Sequence, residues 1–329
     1  MVRIAVTGSI ATDHLMTFTG RFADSLVVDQ LDKIALSFLV DDLEVRRGGV
    51  AANIAFGMAN LGQQPLLVGS VGEDFVDYRS WLERHGVDCH AVHVSETRHT
   101  ARFVCTTDSD HAQIATFYAG AMSEAREIEL GPIAARTDGL DLVVISPNDP
   151  EAMLRHTDEC RVRGLPFAAD PSQQLAWMDG ESIRQLIDGA TYLFTNEYEA
   201  ALTEKKTGWS AEEIDERVQT RVITKGKHGA VVVTKGEAPI QVTAAREVRK
   251  ADPTGVGDAF RAGFLTGLAW GLDHRRCAEV GSMLATYVIE TVGTQEYELG
   301  RARFLSRLAE AYGAESAAEV EPHLVCARP

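Results

Sequence analysis

Cysteine is scarce in this sequence, and its few cysteines are not spaced for a redox or zinc motif. Only five occur in 329 residues, an odd number, and no Cys-x-x-Cys pair is present. The pattern gives no sign of a disulfide framework. We therefore expect a reduced, cytoplasmic protein. The cysteines are Cys89, Cys105, Cys160, Cys277 and Cys326.

Long apolar runs and positive charge are also lacking. No stretch of about 18 or more apolar residues occurs, which argues against a transmembrane helix. Residues 1–8 are too short and too soon interrupted by Gly8 to be a signal peptide, and they predict a buried first strand. The 32 Lys and Arg residues against 48 Asp and Glu give a net charge of −16, which argues against a nucleic-acid surface. We expect neither a membrane nor a nucleic acid as a partner.

Short apolar runs alternate with amphipathic stretches along the chain, which predicts an α/β fold. Near-continuous apolar strands between helices favour a mostly parallel sheet covered by helices on both faces. Ligands of such sheets bind beyond the carboxyl ends of the strands. The predicted strands are 2–6, 66–69, 142–145, 167–169, 192–194 and 221–224. The predicted helices are 50–61, 75–85, 150–163, 181–187 and 197–204.

Part of the chain departs from this alternation. Residues 37–40, 102–107 and 113–118 are rich in aromatic and β-branched side chains, and Asp108-Ser109-Asp110 between the last two indicates a hairpin turn. We therefore predict a small antiparallel subdomain inserted early in the larger one. The segments that form it are 12–19, 36–47 and 99–118.

Residues 252–258, Asp-Pro-Thr-Gly-Val-Gly-Asp, place a carboxylate among glycines where a helix is predicted to begin. Gly255 and Gly257 allow a tight turn and a close approach of a ligand to the backbone. The first N–H groups of a helix lack intrahelical partners and lie at the positive end of its dipole, so this helix start suits a phosphate. A general base at Asp258 beside such an anion hole suits phosphoryl transfer to an alcohol. The alternative is an aspartate that caps a surface helix.

A second glycine cluster precedes the predicted helix 50–61. Gly48 and Gly49 would let a substrate contact the backbone, and Asn53 would project from the first helical turn. A tight strand-to-helix turn is the alternative. Asp13 follows the first predicted strand, at the edge of the sheet where ligands bind. Its carboxylate either caps a turn or binds two vicinal hydroxyls.

Asn196 and Glu199 open the helix predicted after strand 192–194. Their spacing is typical of a capping box. The alternative is a pair of oxygen ligands that face a hydrated Mg²⁺ or the phosphates of a nucleotide. Cys89, His90 and His93 do not predict a zinc site, because His90 would face away from the other two in a strand-like segment.

At these motifs the chain resembles the ribokinase-like (PfkB) carbohydrate kinases. Residues 48–53 and 252–258 are similar to the two signatures of that family and occur in its order, and Asn196-x-x-Glu199 is similar to its third motif. Val256 departs from the family, which usually has a small residue there. The resemblance covers nearly the whole chain. It implies one domain over 1–329, a doubly wound three-layer α/β/α domain with a small β-sheet lid made from the three segments above.

Within that family the chain is most similar to the bacterial adenosine kinases. The resemblance implies that polar residues surround the sugar of a nucleoside, that two aromatics stack on the purine, and that two glutamines lie near the sugar and base. The residues implied to bind the nucleoside are Ser9, Asp13, Ser37, Gly49, Asn53, Phe103, Phe117, Gln173 and Gln174.

The resemblance implies an ATP-dependent kinase of purine salvage that phosphorylates the 5′-hydroxyl of adenosine and yields AMP and ADP. Asp258 would be the general base, and the N–H groups of Gly255, Val256 and Gly257 would form the anion hole.

The resemblance also implies residues for the nucleotide and its metal. Asn196 and Glu199 would hold Mg²⁺ partly through water, and Thr224 and Gly226 would line the nucleotide. Some members of the family are activated by K⁺, and Asp252 with the loop 293–295 occupies the comparable place here.

Several alternatives to adenosine phosphorylation stay open at this point. One is a ribokinase-like kinase for ribose, a ketohexose or a hypoxanthine nucleoside. Others are a non-catalytic nucleoside or sugar sensor, which has no need of a buried base, and a purely structural subunit. Lid strands that expose edges and aromatics could pair between subunits, so we expect a homodimer through the lids.

Overall fold

The computed structural model describes residues 2–26, 36–137 and 139–324, so Cys326 lies outside the described residues. Each predicted strand and helix coincides with an observed element to within a few residues. The strands are β1 (Ile4–Thr7), β2 (Ala11–Thr17), β3 (Asp42–Gly48), β4 (Leu66–Gly72), β5 (Val92–Ser95), β6 (Ala101–Thr107), β7 (Gln113–Tyr118), β8 (Leu142–Ile145), β9 (Phe167–Ala169), β10 (Tyr192–Asn196), β11 (Thr220–Thr224), β12 (Ala230–Thr234) and β13 (Ile240–Val242).

The helices alternate with these strands through most of the chain. They are α1 (Phe22–Ser25), α2 (Val50–Asn60), α3 (Val76–Arg84), α4 (Leu130–Arg136), α5 (Pro150–Arg163), α6 (Gly180–Ile187), α7 (Glu197–Thr207), α8 (Ala211–Arg217), α9 (Val256–Ala269), α10 (His274–Ile289), α11 (Arg301–Tyr312) and α12 (Ala314–Val320). Local chemistry sets their ends. In α5, Asp149 caps the first N–H groups, Pro150 opens the helix, and Gly164 ends it in a left-handed conformation. None of the helices in the described ranges is long and apolar enough to cross a membrane.

The large sheet has nine strands in the order β13-β12-β11-β10-β9-β8-β1-β4-β5. The strands from β11 to β5 pair in parallel, and β12 and β13 add an antiparallel hairpin at one edge. Alternate residues of each buried strand face opposite layers: Val6 and Val144 pack with α2, α9 and α10, whereas Ala5 and Val143 pack with α4, α5 and α6. This is the three-layer ribokinase-like α/β/α fold.

The lid is a separate four-stranded sheet in the order β3-β2-β6-β7. The prediction of an antiparallel subdomain was wrong at its centre, because β2 and β6 pair in parallel. The reason lies in the large sheet: β2 follows β1 and β6 follows β5, and β1 and β5 run in the same direction on either side of β4. The outer pairs, β2 with β3 and β6 with β7, are antiparallel.

Residues 37–40 do not form the strand that their composition favours, and β3 begins only at Asp42. Phe38 packs instead against Phe18 and Phe22, with each pair of ring centroids 4.9 Å apart. The aromatic content of this segment therefore reflects a small cluster at the end of the lid sheet and not a strand.

Candidate active site

The start of α9 lies between two cavities. Gly255 precedes the helix with φ +74°, and a Cβ atom there would lie 2.7 Å from Cγ2 of Thr294, so only glycine fits. Gly255 and Asp258 line one cavity, and Val256 and Gly257 line the other. A group that passes from one cavity to the other would cross the N–H groups at the positive end of this helix.

Asp258 is held by a hydrogen bond from a residue far away in the sequence. Nδ2 of Asn53 donates to Oδ2 of Asp258 at 2.9 Å, which joins the two glycine clusters. Burial raises the pKa of Asp258 to about 6, although the amide of Asn53 and the guanidinium of Arg261 favour the carboxylate and oppose this shift. A base with this pKa is mostly ionised at neutral pH and can still accept a proton from an alcohol.

A buried network fixes the orientation of Asn53. Its Oδ1 accepts from Oγ1 of Thr294 at 2.9 Å and from Nε2 of Gln295 at 3.0 Å, so its Nδ2 is turned toward Asp258. Gln295 also donates to the hydroxyl of Tyr78 at 2.6 Å and accepts from Nε1 of Trp81 at 3.2 Å. The amide at the site is therefore preorganised by side chains of α3 and of the loop after α10.

The cavity beside Asp258 has a volume of about 560 Å³, which is within the range of small-molecule sites. Eight of the nine residues predicted to bind a nucleoside line it. The ninth, Ser37, is exposed and is not one of the described residues that line the cavity. The eight are Ser9, Asp13, Gly49, Asn53, Phe103, Phe117, Gln173 and Gln174.

One end of this cavity is narrow and polar. Gly49 has φ +95°, and a Cβ atom there would lie 2.6 Å from the carbonyl oxygen of Ser9. A Cβ atom on Gly48 would lie 3.2 Å from Oδ2 of Asp13. Burial raises the pKa of the Asp13 carboxyl, and the guanidinium of Arg46 opposes that shift. Because Gly48 and Gly49 have no side chains, the Asp13 carboxylate is open to the cavity, where it can accept hydrogen bonds from hydroxyl groups.

The other end of the cavity is aromatic. Phe103 and Phe117 are directly opposite each other on β6 and β7. Trp177 lines the cavity from the large domain. Phe117 and Trp177 are 54% and 84% exposed, so much of their apolar surface is free to contact a flat ligand. Gln174 lies nearby, and because its Nε2 donates to the carbonyl of Asn148 at 2.8 Å, its Oε1 is left to accept.

The second cavity, of about 340 Å³, is lined by both residues predicted to contact a nucleotide, Thr224 and Gly226. The rest of its wall comes from α9, α10, the turn after β11 and the chain after β13, and it combines small and apolar residues with the charged Lys227, Glu247 and Lys250. Val256 also lines it. The valine side chain, which is larger than the residue usual in the family, therefore lies at this cavity. Its N–H group still lies at the start of the helix.

Asn196 and Glu199 form the capping box of α7. Oδ1 of Asn196 accepts from the N–H of Glu199, and Oε2 of Glu199 accepts from the N–H of Asn196, both at 2.8 Å. Asn196 is thus engaged by the backbone, and Oε1 of Glu199 is the oxygen of this pair that is left for other contacts. Within the described ranges, no group of three or more His, Cys, Asp or Glu residues could hold a metal ion.

Several residues of the site have no sequence motif that predicts them. Thr294 and Gln295 orient Asn53, Trp177 lines the first cavity, and Arg261 lies under the glycine loop. Trp177 follows the two predicted glutamines by three residues, and the resulting short helical turn is the one signal that could have found it. The resemblance had placed the loop 293–295 beside the anion hole for K⁺, whereas its bonds to Asn53 and the position of Arg261 follow only from the fold.

Comparison with known proteins identifies the family. Residues 12–299 match the model of the pfkB family carbohydrate kinases, and the chain therefore belongs to that family of phosphotransferases. A nucleoside kinase of Methanocaldococcus jannaschii is 29% identical over 297 residues, covering 90% of this chain and 93% of that protein.

Two solved structures extend the comparison. A Burkholderia thailandensis nucleoside kinase in complex with inosine is 36% identical and has a TM-score of 0.82, covering 94% of this chain and 99% of that one. Arabidopsis thaliana ribokinase complexed with ribose and ATP has a TM-score of 0.76 at 21% identity, with 94% and 99% of the chains covered, and shares the fold. The family and fold expected from the two glycine clusters are thus confirmed.

Proposed function

We propose that this protein is an ATP-dependent nucleoside kinase that converts adenosine and ATP into AMP and ADP. The observation that carries the proposal is the position of the loop 254–258 between two cavities. Asp258 faces the cavity that has a carboxylate at one end and aromatics at the other. The opposite cavity contains the residues expected to line a nucleotide.

The chemistry follows from this arrangement. Asp13 and Asn53 hold the ribose hydroxyls, so that the 5′-hydroxyl faces Asp258. As Asp258 takes the proton, the 5′-oxygen attacks the γ-phosphorus of ATP, the bond to the β,γ-bridging oxygen breaks, and ADP leaves. The N–H groups of Gly255, Val256 and Gly257 stabilise the charge on the phosphoryl group in transfer.

The aromatic end of the cavity favours a nucleoside over a free sugar. Phe103, Phe117 and Trp177 offer flat apolar surfaces that a ribose alone would not cover. The free Oε1 of Gln174 is an acceptor, which suits the N6 amino group of adenine and also the N1–H of hypoxanthine. Inosine is bound by the Burkholderia thailandensis relative, so it is the main competitor to adenosine as the substrate.

A substrate panel tests the proposal. The protein is assayed with ATP and Mg²⁺ against adenosine, inosine, guanosine, cytidine and ribose, and the phosphorylated product is identified by mass. We expect the highest kcat/KM with adenosine, with phosphate at the 5′ position. A higher kcat/KM with inosine would transfer the assignment to a hypoxanthine nucleoside. Turnover of ribose alone would make the protein a sugar kinase. No turnover with any compound of the panel would refute the proposal that the protein is a kinase.

The proposal includes two candidate sites for metal ions, one for Mg²⁺ and one for K⁺. Mg²⁺ would be held by the phosphates and by Oε1 of Glu199 through water, and it would neutralise charge on the phosphates when bound. For K⁺, the candidate is Asp252, whose Oδ2 accepts from the N–H of Gly293 at 3.1 Å, close to the loop that carries Thr294. Equal rates in Na⁺ and K⁺ buffers would dismiss K⁺ activation.

We extend the proposal to the lid, the assembly and the compartment. The sheet β3-β2-β6-β7 acts as a lid, because its inner face carries Asp13 and Phe103 into the cavity. Its outer face exposes Leu43, Val45 and Ile114, which would be covered in a homodimer formed through the lids. The compartment we propose is the cytoplasm, where ATP is available and thiols stay reduced.

A further inference from the structure

Arg261 is a buried cation directly under the glycine loop of the site. It lies one turn after Asp258 in α9 and is only 6% exposed. Its Nη2 donates to Oδ1 of Asp170 at 2.6 Å and to Oγ of Ser172 at 3.0 Å, and Oγ of Ser172 donates to the same carboxylate oxygen at 2.7 Å. One nitrogen therefore joins α9 to the residues that follow β9.

The turn held by Arg261 is unusual in its backbone. Ser172 has φ +41°, a left-handed conformation that a serine rarely adopts without support from its surroundings. From this position the chain makes a short helical turn that brings Gln173, Gln174 and Trp177 to the wall of the first cavity. The contacts of Arg261 thus fix the conformation from which these side chains reach a ligand.

The other end of the guanidinium faces the glycine loop. A Cβ atom on Gly257 would lie 2.9 Å from Nη1 of Arg261, so the arginine fills the space beneath the loop. Oε2 of Glu199 lies 4.0 Å from Nη2. Arg261 is consequently a single cation among the carboxylates of Asp170, Glu199 and Asp258.

This ion pair is poorly suited to stability alone. Asp170 is fully buried, and its Oδ2 has no hydrogen-bond partner within the described residues; nor has Nε of Arg261. A buried pair with unsatisfied atoms is often no more stable than an apolar replacement of the same size. The geometry therefore favours a role in the site.

We propose that Arg261 is a positioning residue that fixes the nucleoside-binding turn 170–177 to the helix start that carries Asp258. It keeps the base of the substrate and its reacting hydroxyl in one geometry, because both are held by a single side chain. The inference rests on the proposed kinase function. It has a second consequence: the positive charge of Arg261 lowers the pKa of Asp258, so losing it moves the ionisation of this base to higher pH.

The test compares Arg261→Met with the double variant Arg261→Met/Asp170→Asn and with Arg221→Met. Arg221 is also buried and paired, to Asp215 at 3.2 Å, but its partners lie on α7 and α8 and not in the turn 170–177 or the glycine loop. For Arg261→Met at pH 8.5 we expect the KM for the nucleoside to rise about tenfold or more, with kcat within about threefold of wild type. The acidic limb of its pH–rate profile should move to higher pH.

The controls separate positioning from a loss of stability. Arg221→Met should unfold at a lower temperature yet keep the wild-type KM and pH profile. The double variant should regain stability relative to Arg261→Met, because it lacks the unpaired buried carboxylate, while its KM stays high. A wild-type KM and pH profile in folded Arg261→Met would overturn the proposal, and so would equal changes in Arg221→Met.

Hydrogen exchange of the ligand-free proteins gives a readout that needs no turnover. Amides of 172–178 should exchange faster in Arg261→Met than in wild type or Arg221→Met, whereas amides of 262–269 should not change. If the wild type phosphorylates no nucleoside, the kinase proposal fails by itself, and the exchange data still decide whether Arg261 fixes the turn. Unchanged exchange at 172–178 would refute that.

Discussion

Asp258 is a carboxylate whose partly buried position disfavours its charge, while the amide of Asn53 and the guanidinium of Arg261 favour it. The balance leaves its pKa at about 6, well above that of an ordinary aspartate. For a base that must be ionised at neutral pH and still bind a proton during the reaction, this value is close to the useful range. The single side chain thus carries both the charge and the basicity that the proposed reaction requires.

The first prediction concerns Asp258→Asn. We expect kcat to fall by about 10²–10⁴-fold, which is the usual contribution of a general base, while ATP binds with unchanged affinity. Steady-state kinetics and ATP titration by calorimetry measure the two quantities. Asp273→Asn is the control, because Asp273 caps α10 without lining either cavity. Turnover near that of the wild type in Asp258→Asn would contradict the assignment.

The second prediction follows from the sign of the pKa shift. Because Asp258 must be ionised to accept a proton, kcat/KM should be constant above about pH 7 and fall as the pH drops through about 6. Removal of the Asn53 amide takes away an interaction that favours the carboxylate, so the limb of Asn53→Ala should lie at higher pH. Rates measured from pH 5 to 9 test both statements, and a wild-type kcat/KM that stays constant down to pH 5 would contradict them.

At the scale of elements, the two structures that build the site are the start of α9 and the lid sheet. The helix start supplies oriented N–H groups because Gly255 turns the chain through a left-handed conformation that other residues rarely adopt. The lid brings Asp13, Phe103 and Phe117 onto one face because these residues lie in one cross-strand row. Neither element forms the site without the other.

Gly255→Ala should disrupt the helix start. The substitution forces a left-handed alanine, which costs about 1–2 kcal/mol, and places its Cβ atom against Thr294. Gly271→Ala is a matched control: its φ is +77°, but no atom lies within 4 Å of the new Cβ. Both variants should lose stability in thermal unfolding, and only Gly255→Ala should lose kcat, by about 10²-fold. Equal kcat values in the two variants would count against the anion hole.

Phe117→Ala tests the aromatic wall. Because Phe117 is half exposed, its removal should hardly change stability, and it should raise the KM for adenosine by about tenfold while leaving any activity with ribose unchanged. Tyr118→Ala is the control, since Tyr118 is similarly exposed on the same strand but faces away from the cavity. Parallel losses with adenosine and ribose would place the effect outside base recognition.

At the scale of the whole molecule, a monomer leaves apolar side chains on the outer face of the lid exposed to solvent. Leu43, Val45 and Ile114 lie on this face and are each about half exposed. We expect a dimer in sedimentation at micromolar concentration, and a monomer for Val45→Glu/Ile114→Lys. Val162→Glu should leave the dimer intact, because Val162 is exposed on α5 in the large domain. A wild-type monomer would refute the lid interface.

Short-range sequence signals determined the secondary structure, and the motifs at 48–53, 196–199 and 252–258 carried the resemblance that indicated the family. Glycines at 48–49 and 255–257, the alternation of apolar strands with helices, and Asp13 after β1 depend on backbone sterics and periodicity, which act over a few residues. The eight predicted residues that line the first cavity were implied by the family resemblance and not by these local signals. The composition of residues 37–40 favours a strand that does not form, because Phe38 packs in a tertiary cluster.

Only the tertiary structure decided which of these groups meet. The bond between Asn53 and Asp258 spans 205 positions in the chain, and no local pattern predicts that Thr294 and Gln295 orient Asn53 or that Arg261 bonds to Asp170. The parallel centre of the lid likewise depends on the strand order of the large sheet. Such contacts are set by how the layers pack, and because local sequence does not encode packing partners, the network that holds Asn53 against Asp258 could be found only in the fold.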